Sequence, residues 1–312
     1  MSKKSTRKDS KLMYLLDEYL KNISNQTSTL EFEVRFGTKS KTKNNRKTDI
    51  KKIDFDNVAT KLYSLGFKAF EKDKHTLKIN SEYRDNDGNV RFSNIRIEIK
   101  DLYRISEYCK TNDLSDDAMY IQKYKYRMGN PPQNPIDNEE FLFRFSLQEE
   151  KKYNKNSNII QSLIKSWKDT KKSYRLLNRT SFKHPDYPFI VDLSVVKSSK
   201  KNKGSYEMTY SLLESDIFNS REFYEIEIEI DNDIIKKGTY NSTQLVAHLK
   251  KIIKFILSGL QQSNYPISYD EKDNVLQNYY KLVHGKDDPN HYFKPEDFIG
   301  PSSFTLQKIN MI

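Results

Sequence analysis

A single cysteine, Cys109, stands in 312 residues, so the chain has no internal disulfide framework, and such usage fits a reducing compartment. The five histidines are scattered, and no Cys/His set has the spacing of a zinc site. Any metal here would therefore need oxygen ligands. Gly and Pro are scarce, nine of each, which excludes collagen-like and low-complexity chains. No stretch approaches the roughly 20 uncharged apolar residues of a membrane helix. The best run, residues 245–260, carries His248, Lys250, Lys251 and Lys254. The basic start, MSKKSTRKDS, leads into no apolar segment, so no secretory signal is visible. Apolar residues make up only 36% of the chain. Aromatics compensate: 21 Tyr and 17 Phe are too many for a disordered chain. The formal net charge of +11 suggests a polyanionic partner, with nucleic acid the first choice.

Length allows one large domain or two small ones. Residues 1–28 read as a basic tail with a short helix over 11–21, and 30–37 as a strand. Residues 54–65 read as a helix with Asp54 as N-cap and Gly66 at its stop. From 68 to 230 strands dominate, the clearest at 90–100, 120–127, 140–149, 174–182, 189–197 and 223–231. Two helices follow, at 242–259 capped by Asn241 or Ser242, and at 269–284 with Ser268 and Glu271 at capping-box spacing. Residues 285–297 read as a linker. Many strands with turns between them predict an α+β chain built on a large antiparallel sheet or barrel.

Two strands carry an unusual pattern. In LEFEVRFG, Leu30, Phe32, Val34 and Phe36 share one face and Glu31, Glu33 and Arg35 the other. In YEIEIEID, Ile226, Ile228 and Ile230 oppose Glu225, Glu227 and Glu229. Glu is a poor strand former, and adjacent like charges repel. One such strand fits a solvated sheet face; two in one chain call for a shared reason. If they pair, five carboxylates come together and raise one another's pKa values unless cations neutralise them. Carboxylate oxygens suit Mg²⁺ or Mn²⁺. Basic strands complement them: Arg175 and Arg179 share a face, as do Arg96, Glu98 and Lys100, and Lys123, Lys125 and Arg127; Arg144 lies opposite Phe143 and Phe145. In a closed barrel the charged faces would line a lumen able to hold a metal ion and a polyphosphate together.

On these residues the sequence resembles the triphosphate tunnel metalloenzymes, and more narrowly the RNA 5′-triphosphatase module of large-DNA-virus mRNA capping enzymes. That family has a first metal strand with two alternating glutamates, matched at Glu31 and Glu33, and a last E-x-E-x-E strand, matched at Glu225, Glu227 and Glu229. Between them lie a basic strand, matched by YRLLNRTSF at Arg175 and Arg179, and an Asp-x-Ser/Thr strand, matched by IVDLSVVKSS at Asp192, Ser194 and Lys197. Two positions that are often basic in the family are Leu177 and Ile190 here. Arg35 makes the first motif similar also to the E-x-E-x-K of the adenylate-cyclase and thiamine-triphosphatase branch. The similarity runs over about residues 30–284, and YFKPEDFIGPSSFTLQ resembles the passage into a guanylyltransferase domain.

The resemblance implies a closed antiparallel eight-stranded β-barrel with a charged lumen, flanked by helices and occupying residues 29–284, followed by a linker and the start of a further domain. It implies metal-dependent release of the γ-phosphate from 5′-triphosphate RNA, the first step of mRNA cap formation, with nucleoside triphosphates as further substrates. The five glutamates would hold Mg²⁺ or Mn²⁺, with the choice between Glu227 and Glu229 as the water-activating group left open. Arg179, Arg175, Arg96, Lys125, Arg144, Lys197 and Ser194 would contact the triphosphate, and Asp192 would orient an Arg or a water. A cytoplasmic setting, in a viral factory or virion, is implied as well. Two alternatives stay open: a tunnel enzyme acting on tripolyphosphate or a small organic triphosphate, and a non-catalytic basic RNA-binding β-domain. The basic runs at 1–8, 39–52 and 197–203 read as surface that would attract an RNA body.

Overall fold

The computed structural model describes residues 3–23, 29–37, 49–84, 87–126, 135–202, 205–238, 240–285, 288, 291 and 293–298. The chain divides into two compact units, Met1–Pro266 and Ile267–Ile312. The first unit contains α1 (Lys3–Asn22), β1 (Thr29–Phe36), α2 (Lys52–Ser64), β2 (Lys68–Arg84), β3 (Val90–Lys100) and α3 (Leu102–Thr111). It continues through β4 (Met119–Lys125), β5 (Ile136–Asn138), β6 (Phe143–Tyr153), α4 (Asn158–Lys165), β7 (Lys172–His184) and β8 (Tyr187–Ser198). It ends with β9 (Lys201–Asn202), β10 (Ser205–Tyr206), β11 (Phe223–Ile230), α5 (Asn232–Lys237) and α6 (Ser242–Gln261). The second unit is built on α7 (Tyr269–His284), where Tyr280 stacks on His291 with ring centroids 4.0 Å apart.

Eight antiparallel strands close into a barrel in the order β1-β11-β8-β7-β2-β3-β4-β6, and β6 pairs back onto β1 along the whole length of β1. Short β5 continues the β4 side of β6, at Phe143–Phe145. Closure leaves the barrel no long unpaired edge. It also gives every strand an inside and an outside, because side chains alternate. The outward set is apolar: along the β1–β6 seam Phe32 faces Leu147, Val34 faces Phe145 and Phe36 faces Phe143.

Two cores lie outside the barrel wall. The outer faces of β1, β6, β8 and β11 bury against α1, α2 and α6, with Leu15, Leu16, Leu62, Leu249, Ile252 and Ile256 fully enclosed. The outer faces of β2, β3, β4 and the start of β7 bury against α3, α4 and Trp167. Helix α6 crosses α2 so closely that a Cβ on Gly259 would lie 2.8 Å from the Val58 Cα.

Several elements differ from their sequence expectations. The first helix begins at Lys3 rather than 11, and its Leu12, Leu15, Leu16 and Tyr19 are part of the core. Helix α2 starts at Lys52, so Asp54 is at N3, where its carboxylate accepts from the Lys51 N–H. Asn241 caps α6 and Ser268 caps α7, each accepting from the backbone N–H three residues on. Residues 299–312, where the passage into a further domain is expected, and most of the 39–52 basic run lie outside the described residues. Among the described residues, no helix is long and apolar enough to cross a membrane.

Candidate active site

The two glutamate strands are barrel neighbours. Strands β1 and β11 pair antiparallel with Glu33 opposite Glu229 and Arg35 opposite Glu227. The next pairings, Glu225 with Ser194 and Glu227 with Asp192, bring the Asp-x-Ser strand beside them. On β7, Arg179 then faces Ser194 and Ser181 faces Asp192. One parity of each strand thus converges on a lumen of about 340 Å³. Among the described residues, seven acidic and eight basic side chains line it.

Arg179 is the hub. Its Nη1 donates to Asp192 Oδ2 at 2.5 Å, Nη2 to Glu227 Oε2 at 3.1 Å and Nε to Ser194 Oγ at 3.1 Å. Ser181 Oγ donates to the other Asp192 oxygen at 2.6 Å. Arg35 Nε donates to Glu227 Oε1 at 2.7 Å from the opposite side. Burial alone would push Glu227 up, but Arg35 and Arg179 outweigh it and hold the carboxyl at about 2. Arg175 pairs with Glu225, and Lys123 with Glu31. Arg96 lies 2.5 Å from Glu98, and Lys78 lies 3.7 Å from the same carboxylate.

Two carboxylates are less well balanced. Glu33 accepts from the neutral donors Ser146 Oγ at 2.9 Å and Gln148 Nε2 at 3.0 Å. Burial and then the nearby Glu227 push its pKa up. Glu229 is pushed well above the carboxylate range by burial, Asp192 and Glu31, with Arg179 no closer than 3.7 Å. Uncompensated negative charge is therefore concentrated at Glu33 and Glu229, with the Lys123-paired Glu31 beside them, and all three are hard oxygen donors. Such a donor set fits Mg²⁺ or Mn²⁺. Among the described residues, no three such groups are gathered at metal-ligating separations; Glu31 turns to Lys123, and Glu33 to a hydroxyl and an amide.

The other expected site residues separate by strand parity. Arg96, Arg175 and Arg179 line the lumen, and buried Ser194 hydrogen-bonds Arg179. Lys125 shares its parity with Lys123 but is exposed beyond it on β4. Arg144 is turned to Asp137, donating at 2.5 and 3.1 Å. Lys197 alternates to the outer face of β8, where its Nζ donates to the Phe218 carbonyl.

Positions 177 and 190 bring leucine and isoleucine to the inner face, and basic groups from elsewhere stand nearby. Lys78 on β2 is in register with Arg175. Burial, helped by Arg96, Arg179 and Arg175, lowers its pKa to about 8 against the opposing pull of Glu98. Lys78 was not singled out from sequence. The available signal was the short alternation of residues 76–80, with Leu77 and Ile79 outside. Gln148 and Ser146 were missed because neutral donors leave no charge pattern.

No family model and no curated protein matches the chain. Among solved structures, it is similar to the Mimivirus capping enzyme triphosphatase, at 18% identity over 78% of this chain and 96% of that one, with a TM-score of 0.47. It is also similar to the S. pombe Pct1 RNA triphosphatase, at 13% identity over 80% and 89% of the two chains, with a TM-score of 0.41. A second Pct1 structure, in complex with the Spt5 CTD, matches at 13% identity over 79% and 92%, with a TM-score of 0.42.

Proposed function

We propose that the chain is a metal-dependent polynucleotide 5′-triphosphatase that releases the γ-phosphate of triphosphate-ended RNA. The observation that carries this reading is the lumen itself: a closed barrel whose β1–β11 wall is rich in carboxylates and whose β7, β2 and β3 walls carry Arg175, Arg179, Lys78 and Arg96. Glu31, Glu33 and Glu229 would hold Mg²⁺ or Mn²⁺, which supplies charge neutralisation at the γ-phosphate. Arg179 and Arg175 offer forked donors to phosphate oxygens. Lys78 and Arg96 add positive charge from the adjoining strands.

Water attacks the γ-phosphorus, the bond to the β-bridging oxygen breaks, and a diphosphate end and inorganic phosphate result. Glu227 has both carboxylate oxygens engaged, Oε1 by Arg35 and Oε2 by Arg179. Its part is to fix Arg35 and Arg179. Glu229 is then the side chain that orients the attacking water. A diphosphate end is what a guanylyltransferase accepts, so the reaction is the first step of cap formation, and nucleoside triphosphates fit the same lumen.

The test compares phosphate release from triphosphate-ended RNA, tripolyphosphate and ATP, with Mg²⁺ or Mn²⁺ and with EDTA. Release that stops with EDTA and in E31A and E229A, with their thermal melts intact, is the expected result. Full activity in either variant overturns the site. Turnover of tripolyphosphate alone favours a small-substrate enzyme, and RNA binding with no turnover favours a binding domain.

A further inference from the structure

The two mouths of the barrel are not alike, and the difference assigns a direction to the tunnel. One mouth opens into a cavity of about 810 Å³ whose lining includes Glu71, Asp73, Asp101, Asp231 and Asp233 together with Glu229 and Asp192 from the lumen. Among the described residues, eight acidic and five basic side chains line it. The other mouth opens into a cavity of about 770 Å³, where the balance reverses to three acidic and five basic side chains. Arg35, Arg175 and Glu225 belong both to that cavity and to the lumen, so the two are continuous. A third cavity of about 410 Å³ meets the same mouth and shares Arg175 and Tyr206 with its neighbour.

Aromatic rings surround this basic mouth. Phe223, Tyr206 and Phe92 are all exposed although none is needed for either core. Two of them are paired with cations: Lys201 Nζ sits 4.7 Å from the Tyr206 ring centre, and the Arg221 guanidinium 5.8 Å from that of Phe223. The acidic mouth has one such pairing, Lys183 Nζ 4.4 Å from the Phe70 ring centre; the basic mouth gathers three exposed rings with Lys201 and Arg221 beside them, the arrangement that takes nucleobases on rings and their phosphates on charge.

We propose that this mouth is a nucleotide subsite, in which the first bases of the RNA stack on Tyr206, Phe223 and Phe92 while Lys201 and Arg221 meet the phosphodiester backbone. The inference rests on the triphosphatase reading and deepens it. The polyanionic RNA body lies on the basic side, and the γ-phosphate points toward Glu229 and the acidic mouth. Stacking serves any base, so the subsite selects for a polynucleotide over a bare polyphosphate without selecting sequence.

The test measures binding of a short, 3′-labelled RNA whose 5′-triphosphate has a methylene in place of the β–γ bridging oxygen, by fluorescence anisotropy with Mg²⁺ and the full chain. The combined variant Y206A/F223A is expected to raise Kd roughly 10-fold or more, the loss of one to two stacked bases. Y206F, which keeps the ring, should bind close to wild type. F70A, which removes an exposed ring from the acidic mouth, should also bind close to wild type. In turnover, the ratio of KM for RNA to KM for tripolyphosphate should rise in Y206A/F223A. Unchanged RNA binding in Y206A/F223A, equal losses on RNA and tripolyphosphate, or an equal loss in F70A would each overturn the proposal. Phosphate release by the wild type separates the two readings. If it releases none but Y206A/F223A still weakens RNA binding, the hydrolase reading fails and the subsite stands. If release is normal and binding is unmoved, the subsite alone fails.

Discussion

At the scale of single residues, the lumen is a set of unequal ion pairs. Arg179 meets two carboxylates and a hydroxyl at once, which a lysine cannot do with a point charge. R179A should lower kcat/KM by roughly 10²–10³, the range for loss of one preorganised donor in an anion-stabilising site. R179K should recover little of it. Steady-state kinetics on triphosphate-ended RNA decide both. Lys78 supplies a pH signature. Its pKa in the folded chain, about 8, is below the ordinary 10.5, so its charge is lost on the folded protein before it is lost on the unfolded chain. Between those values the unfolded chain binds more protons, so this residue's penalty on stability fades as pH rises from 8 toward 10. Over the same window the lumen loses a cation. A pH profile of kcat/KM should show a fall above about pH 8 that K78M lacks, whereas the melting temperature of the wild type should gain on that of K78M. The glutamates and arginines were legible in the sequence because alternation exposes charge on one face. Lys78 was not, because it lies within a 17-residue strand whose register shifts interrupt any clean pattern.

At the scale of elements, packing between helices is set by close approach. Adding a methyl at Gly259 would press Cβ onto the Val58 backbone, with the nearest atom a Cα that cannot swing aside. G259A gains helix propensity worth about 1 kcal/mol, but overpacking costs roughly 1–3 kcal/mol. Net destabilisation is the expected sign, read as a lower urea midpoint at unchanged slope. The helices at 242–259 and 269–284 were legible from their caps and apolar spacing. Helix α1 was only half legible, since the lysines ahead of Leu12 look like a tail, and the burial of Leu12, Leu15 and Leu16 depends on strands far along the chain. The β9–β10 hairpin is too short to leave a periodic signal, yet its Tyr206 reaches the basic mouth.

At the scale of the molecule, charge is partitioned. The lumen is nearly balanced among its described residues, so most of the formal +11 lies elsewhere. Substrates that reach beyond the lumen should feel it. Raising NaCl should increase KM for an RNA of several nucleotides more steeply than KM for tripolyphosphate, because each added phosphate contact releases counterions. Closure of the barrel had no local signature: β1 and β6 are distant in sequence, and only family resemblance anticipated that the sheet closes. Closure also has a consequence for how the sequence can change. Each strand is read two residues at a time, odd ones in and even ones out on β1 and β11, much as a message is read in frame. A one-residue slip of β11 against its neighbours would move Ile226, Ile228 and Ile230 into the lumen and send the glutamates into an apolar core. Substitutions can therefore rewrite the chemistry of this protein a residue at a time, whereas a change of length is absorbed only in the connections between strands or at an irregularity such as those that interrupt β2.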